Sequence, residues 1–443
     1  MAQIHPIRAV CYAAPDGGDV SSLIAPPYDV LDERSKTALL ERSSQNIAAV
    51  DLPHLPPKTV GPDRTYEEAG RRFTHWLETG VLQQRHQRCF YVYRQTFTVA
   101  KRHHQRVGLV ANVTLSQPAA AGPDGSRIYA HERTFGLPRE DRVKLMRATG
   151  TQISPLWALY RDTDGAGGHL LRSIAEQGPP LLTATTGHDQ VRHEVWAAPD
   201  LTEAFRKVLA GRDLFIADGH HRYSAALTYL ADLGPDLAPD HPARSAMFVL
   251  VAMEDPGLLV LPTHRALGQM RSFSFEAFAT AARDHLAIRP FVGSSLEVLA
   301  LALPGAGLHA MGLCWRQGRG LELALATSHD EDPLASISPK RDPAWRQLDV
   351  AIVQQLVVER ICQPNFCAPG QTVQWQFTHD LTRLASLLAG DDVQLGIVLQ
   401  PIALDAVQQV CEAGELMPPK STFFYPKLAT GLLMHSLADQ PAT

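Results

Sequence analysis

Short apolar runs alternate with helical periodicity along most of the chain, and the pattern is sharpest near residue 220. Leu214, Phe215, Ile216 and Ala217 make an apolar run of strand length. Tyr223, Ala226, Leu227 and Leu230 then recur at helical spacing until Gly234-Pro235 stops the pattern. A strand, a tight turn and a helix N-terminus are therefore predicted within about twenty residues. The turn reads Asp218-Gly219-His220-His221-Arg222.

The same reading gives elements elsewhere. Residues 89–99 and 107–115 alternate apolar and polar positions around Lys101-Arg102-His103-His104, which predicts a β-hairpin with a basic, solvated tip. Asp32 is placed to cap a helix running to about Arg42, and Thr65-x-x-Glu68 is a capping-box pattern ahead of an apolar face of Tyr66, Ala69, Phe73, Trp76 and Leu77. Pro138 is expected to open a helix carrying Glu140, Asp141, Arg142, Lys144 and Arg147. Strands are expected near 153–160, 194–198, 246–252 and 258–261, with helices near 168–177 and 201–209. After Ser272 the texture changes to an amphipathic helix (274–286), a glycine-broken hairpin (309–326), a charged loop (327–343) and a long helix (346–361). A strand at 393–401 and a helix at 404–413 precede the last segment. The alternation predicts a mixed α/β protein in three sections: a catalytic region 1–271, an accessory section 272–390, and a C-terminal segment 391–443 returning to the active site.

Bulk properties narrow the class. With 45% hydrophobic and 20% charged residues over 443 positions, the chain reads as globular and long enough for a large core. A net charge of −5 argues against a general nucleic-acid binder. No apolar stretch reaches the roughly 18 residues of a membrane span, and the N-terminus has no basic segment ahead of an apolar signal core. The cysteines at 11, 89, 314, 362, 367 and 411 form no Cys-x-x-Cys pair, so free thiols in the cytoplasm are expected.

The chemistry concentrates in a few places. At the 218–222 turn, helix-start N–H groups, a glycine and an arginine suit an anion, while Asp218, His220 and His221 offer proton transfer or metal ligation. The alternative is a buried strand end whose histidines are satisfied by neighbours. Pro26-Pro27 is a stiff way to hold Tyr28 and Asp29, or simply a rigid connection. His131-Glu132 pairs an imidazole with a carboxylate, fit for acid–base work or Mg²⁺. Lys420, Ser421 and Thr422 set a charge beside two hydroxyls, suited to a phosphate although no Gly-rich Walker loop precedes them. The alternative there is a surface turn anchored by Phe423-Phe424.

Four stretches also carry a family likeness: Ala25-Pro26-Pro27-Tyr28-Asp29-Val30, His131-Glu132-Arg133-Thr134, Ala217 through Arg222, and Met417 through Phe424. In order, over about residues 4–436, they resemble the family catalogued as domain of unknown function 1015. The Gly219-to-Arg222 piece also resembles the phosphate-binding Gly-x-x-Arg turn of the ParB/sulfiredoxin-type fold, which includes kinases of free L-serine. Sulfiredoxins carry a cysteine where this chain has His220, so the likeness favours phosphoryl transfer over sulfinic-acid repair. It implies a phosphotransferase acting on a small hydroxylated metabolite such as free serine, with Mg²⁺ and ATP, ADP or pyrophosphate as donor. On this reading Gly219, His221, Arg222, Lys420, Ser421 and Thr422 hold phosphate, and Tyr28, His131 and Thr134 line the substrate. Asp29 or Glu132 is the base, unranked by sequence. His220 and Asp218 are the further catalytic residues, Asp218 holding metal or orienting a histidine, and Asp218 and Glu132 are the metal candidates. A ParB-like nucleotide-binding regulatory module and a metal-assisted phosphoester hydrolase are the competing classes.

Overall fold

In the computed structural model, which describes residues 3–119, 126–187, 189–199, 202–318 and 320–438, the chain folds as two compact units. The first comprises Met1–Leu259 with Pro426–Thr443, the second Val260–Tyr425. Both mix α and β structure. Only the last eighteen residues rejoin the first unit, since the strand Val393–Val398 pairs inside the second.

The first unit is built on a long mixed sheet. Its strands run in the order Gly18–Asp19, Leu182–Thr185, Arg192–Ala198, Phe90–Val99, Arg102–Thr114, Ser245–Ala252, Leu156–Tyr160, Leu214–Asp218 and Ile128–Ala130. The hairpin tip lies at Ala100-Lys101, both with positive φ. Apolar residues of the central strands, among them Val92, Leu109, Phe248, Leu250, Ala158 and Ile216, share one buried cluster with Phe205, Tyr223 and Val143 of three helices. Those helices are Thr202–Leu209, His220–Asp232 and Gly136–Thr149. Burying such faces is the main driving force for the unit.

Local signals held unevenly. Asp32 caps Glu33–Arg42, accepting from the Ser35 N–H at 2.7 Å. The Thr65 capping box does not cap: the helix Asp63–Glu78 begins earlier, and the Thr65 hydroxyl donates back to the Pro62 carbonyl. Pro138 likewise sits inside Gly136–Thr149, in the first turn, where a missing N–H is tolerated. The expected loop at 118–126 lies largely outside the described residues.

The second unit carries an antiparallel sheet in the order Leu286–Pro290, Gly320–Ser328, Met311–Gln317, Val393–Val398, His264–Gly268 and Gln374–Thr378. Leu296, Leu299 and Leu303 with Leu384 and Leu388 pack on its Cys314, Leu325 and Val398 face. The predicted 274–286 helix divides into the helix Phe275–Ala282 and the edge strand. The long helix instead runs on to 366. All six cysteines are free thiols. Among the described residues no helix is long and apolar enough to cross a membrane.

Candidate active site

The strand Leu214–Asp218 ends irregularly. Its register against Leu156–Tyr160 slips between Ile216 and Asp218, a bulge that re-aims the Asp218 side chain at the strand end. Gly219 follows with φ +97°, and a Cβ there would sit 2.8 Å from Leu156 Cδ2, so the turn requires glycine. The helix His220–Asp232 then starts, with Tyr223 N–H donating to the Gly219 carbonyl at 2.8 Å. The N–H groups of its first residues have no acceptor within the helix and face the positive end of its dipole.

Asp218 is held by two cations. One oxygen accepts from Arg222 Nη2 at 2.6 Å, and the other accepts from Lys427 Nζ. Enclosure opposes ionisation, but Lys427 and then Arg222 outweigh it and hold the carboxyl below the usual carboxylate range. Arg222 Nη1 donates to the Pro155 carbonyl. Its fork therefore braces the turn against the neighbouring strand. Lys427 is the residue that sequence reasoning missed. Pro419-Lys420 recurs as Pro426-Lys427 seven residues on, and that repeat was the available signal.

Across the turn stand His131 and Glu132. The rings of His131 and His220 meet edge-on with centroids 4.6 Å apart, and Glu132 Oε2 lies 4.0 Å from His220 Nδ1. Burial, reinforced by His131, pushes the His220 pKa well below its ordinary value, and burial lowers that of His131. Both imidazoles are neutral near pH 7. His220 Nε2 is buried without a hydrogen-bond partner among the described residues, an unusual condition for a native imidazole. Phe135 N–H donates to His221 Nδ1 at 3.3 Å, leaving the proton of the neutral ring on Nε2. Thr134 is half-buried in the same loop.

Tyr28 and Asp29 belong to a single turn of 3-10 helix, Tyr28–Val30, rather than wholly irregular chain. Tyr28 is buried, with the Arg142 guanidinium 3.8 Å from its ring centroid. It forms a wall rather than the open substrate contact expected. Asp29 is partly exposed, with Lys58 Nζ 3.6 Å away. Beneath this turn lies a charged cluster that includes Asp141 and Arg142 of the helix Gly136–Thr149. Arg142 donates from Nη1 to Asp51 at 3.1 Å and from Nε to Asp141 at 2.8 Å, and Asp141 also accepts from Tyr66 at 2.7 Å. Asp51 and Arg222 share the lining of a 30 Å³ cavity, room for ordered water.

Lys420, Ser421 and Thr422 belong to the second unit. Lys420 has φ +57°, and its carbonyl accepts from Arg265 Nη2 at 3.1 Å. Ser421 is buried and its hydroxyl donates to the Pro418 carbonyl at 2.5 Å, so it closes its own turn instead of offering a donor to phosphate. Thr422 is half-buried.

The metal expectation also changes. Among the described residues no three His, Cys, Asp or Glu side chains converge to hold an ion by themselves. Both Asp218 oxygens face cations, so Asp218 and Glu132 do not form a ready pair of ligands. Glu132, a quarter exposed, fits Mg²⁺ only in company with phosphate oxygens, the usual manner of Mg²⁺–nucleotide binding.

The family described as a protein of unknown function, DUF1015, matches residues 4–351. The chain belongs to that family. Its fold is similar to a free serine kinase solved with AMP, at 13% identity and TM-score 0.30 over 69% of this chain and 88% of that one. It is similar also to a conserved hypothetical protein from Pyrococcus furiosus, at 13% identity and TM-score 0.30 over 69% of this chain and 92% of that one. C-terminally truncated SbnI from Staphylococcus aureus gives 11% identity and TM-score 0.30 over 72% of this chain and 85% of that one. Scores this low transfer no residue role to the DUF1015 chain. No curated protein matches it.

Proposed function

We propose that the first unit is a phosphotransferase that moves a phosphoryl group from ATP, ADP or pyrophosphate, with Mg²⁺, to the hydroxyl of free L-serine. The observation that carries this reading is the ion-paired helix start. Gly219 opens a helix whose first N–H groups are unused internally, beside an ammonium fixed on Asp218. Such a preorganised set of donors and positive charge stabilises phosphoryl oxygens as charge develops on them. Lys427 takes the role that the sequence offered to Lys420.

Glu132 is the base in this account. Its carboxyl is a quarter exposed and 4.0 Å from an imidazole that burial keeps neutral, so it is placed to accept the serine hydroxyl proton. Asp29 is set aside because its carboxylate already faces Lys58. His220 supplies a ring nitrogen with no hydrogen-bond partner among the described residues, His221 an Nε2–H donor, and Thr134 a hydroxyl at the rim. Mg²⁺, held by Glu132 and the donor's phosphates, would neutralise charge on the transferring group. The kinase reading of the fold neighbours, one of them bound to AMP, agrees in kind. The test is incubation with Mg²⁺, each donor in turn and a pool of amino acids, followed by phosphorus NMR. A new phosphomonoester that depends on serine supports the reading. Phosphate release without an acceptor would make the protein a hydrolase, and nucleotide binding without turnover a regulatory module.

A further inference from the structure

Lys427 reaches Asp218 from a stretch with no ladder of its own. Residues 426–429 are irregular, and regular pairing resumes only at the Thr430 bridge to Ala25 and the strand Met434–Ser436. The backbone polar groups of this stretch are met by side chains of two central strands. Arg106 Nη2 donates to the Pro426 carbonyl at 2.7 Å, Gln95 Nε2 donates to the Lys427 carbonyl at 3.0 Å, and Ala429 N–H donates to Tyr93 Oη at 3.3 Å.

These three side chains act as one device. Gln95 and Arg106 are direct cross-strand partners in the hairpin register, and Arg106 Nη2 also donates to the Gln95 amide oxygen. Gln95 is thereby oriented with its NH₂ on Lys427. Tyr93 lies two residues from Gln95 on the same face of the strand. It donates its proton to His193 Nδ1 at 2.6 Å, which leaves its oxygen to accept from Ala429. Burial, then Arg106, lowers the His193 pKa to about 3, so the ring stays a neutral acceptor. Arg106 is 2% exposed and stacks on Trp157 with its guanidinium carbon 3.9 Å from the ring centroid. Burial pushes its pKa down to about 9. Burying an arginine to hold a main-chain carbonyl is expensive, and a core of apolar residues has no use for it.

We propose that Gln95, Arg106 and Tyr93 are positioning residues of the active site, a buried clamp that fixes residues 426–429 and so keeps the Lys427 ammonium on Asp218. This rests on the phosphotransferase reading for its catalytic meaning, but the seating itself can be measured without turnover. In the full chain, the acylation rate of Lys427 by an amine-reactive reagent is followed by mass spectrometry. Gln95→Ala and Arg106→Gln should raise that rate on the order of tenfold, because an amine no longer held on the Asp218 carboxylate is freer to meet the reagent. Phe205→Leu, a core change on the helix Thr202–Leu209, should leave it unchanged. Gln95→Ala should also lower turnover, and that loss should vanish in a Lys427→Met background. Unchanged labelling in the clamp variants, an equal rise in Phe205→Leu, or losses that simply add would overturn the proposal. Should Arg106→Gln not fold, Gln95→Ala decides alone. A labelling rise in a protein with no transferase activity would keep the clamp and remove the functional reading.

Discussion

Replacing Lys427 with methionine removes the ammonium while keeping most of the side chain's length and apolar contact. In the folded protein both Asp218 and Lys427 side chains are 17% exposed, between an open surface pair and a fully buried one. Surface pairs contribute about 0–1 kcal/mol, and breaking a buried pair costs about 3–5. Arg222 stays on the other oxygen at 2.6 Å, so Asp218 is not left alone. The stability loss should therefore fall near 1–3 kcal/mol, or roughly 2–8 °C in Tm for a unit of this size. Turnover should fall more steeply, by about 10²–10³, as when one preorganised donor is lost from a transition state. Asp218 would titrate higher without Lys427, because that cation is the larger of the two holding its pKa down. The same protein should be assayed by initial rates over pH and by calorimetry. Lowered Tm with normal turnover would reduce Lys427 to a structural counter-ion and refute the reasoning.

Two further outcomes follow from the geometry. Arg222→Lys should cost both stability and rate, since one ammonium cannot bridge the Asp218 carboxylate and the Pro155 carbonyl as the fork does; melting temperature and turnover measured together check this, and an unchanged Tm would contradict the bracing role. Stability should also decline as pH falls below about 6.5, the ordinary histidine value. His131 and His220 titrate below that value in the folded protein, His193 at about 3 and His435 at about 4, all chiefly through burial. Below 6.5 the unfolded chain binds protons that these folded histidines refuse, so each fall in pH favours unfolding until the folded values are reached. Asp218 adds to this at lower pH: its contribution is present above the unfolded value near 3.9 and is lost as pH falls through its depressed folded value. A flat Tm between pH 7.5 and 5.5 would count against the buried neutral histidines.

What the sequence reveals is local. The strand–turn–helix at 214–232 could be read directly, because an apolar run, a glycine and a helical period are all short-range signals. His131 and Glu132 were identified by residue type, and the fold brings them to His220. The roles of Arg222 and Lys427 were not legible. Whether an arginine points to a ligand or to the Pro155 carbonyl depends on a neighbouring strand 67 residues away in sequence. Lys427 lies 209 residues from Asp218, and only the return of the last residues to the first unit joins them. Arg142 was legible only as one charged residue of the helix near Pro138; Asp51, 91 residues away, and Asp141 let it be buried. The Ser421 hydroxyl looked available until its own turn claimed it.

The central claim is that Glu132 activates a serine hydroxyl for attack on a phosphoryl group held at the 218–222 helix start. It is tested most directly with L-serine carrying an oxygen label in its hydroxyl, incubated with Mg²⁺ and the donor and followed by phosphorus NMR. The account expects a phosphoserine resonance with the label in the bridging position, formed by the native protein and lost in Glu132→Gln, whose fold should be intact. Unlabelled phosphate released at the same rate with and without serine, or phosphoserine formed equally well by Glu132→Gln, would contradict it.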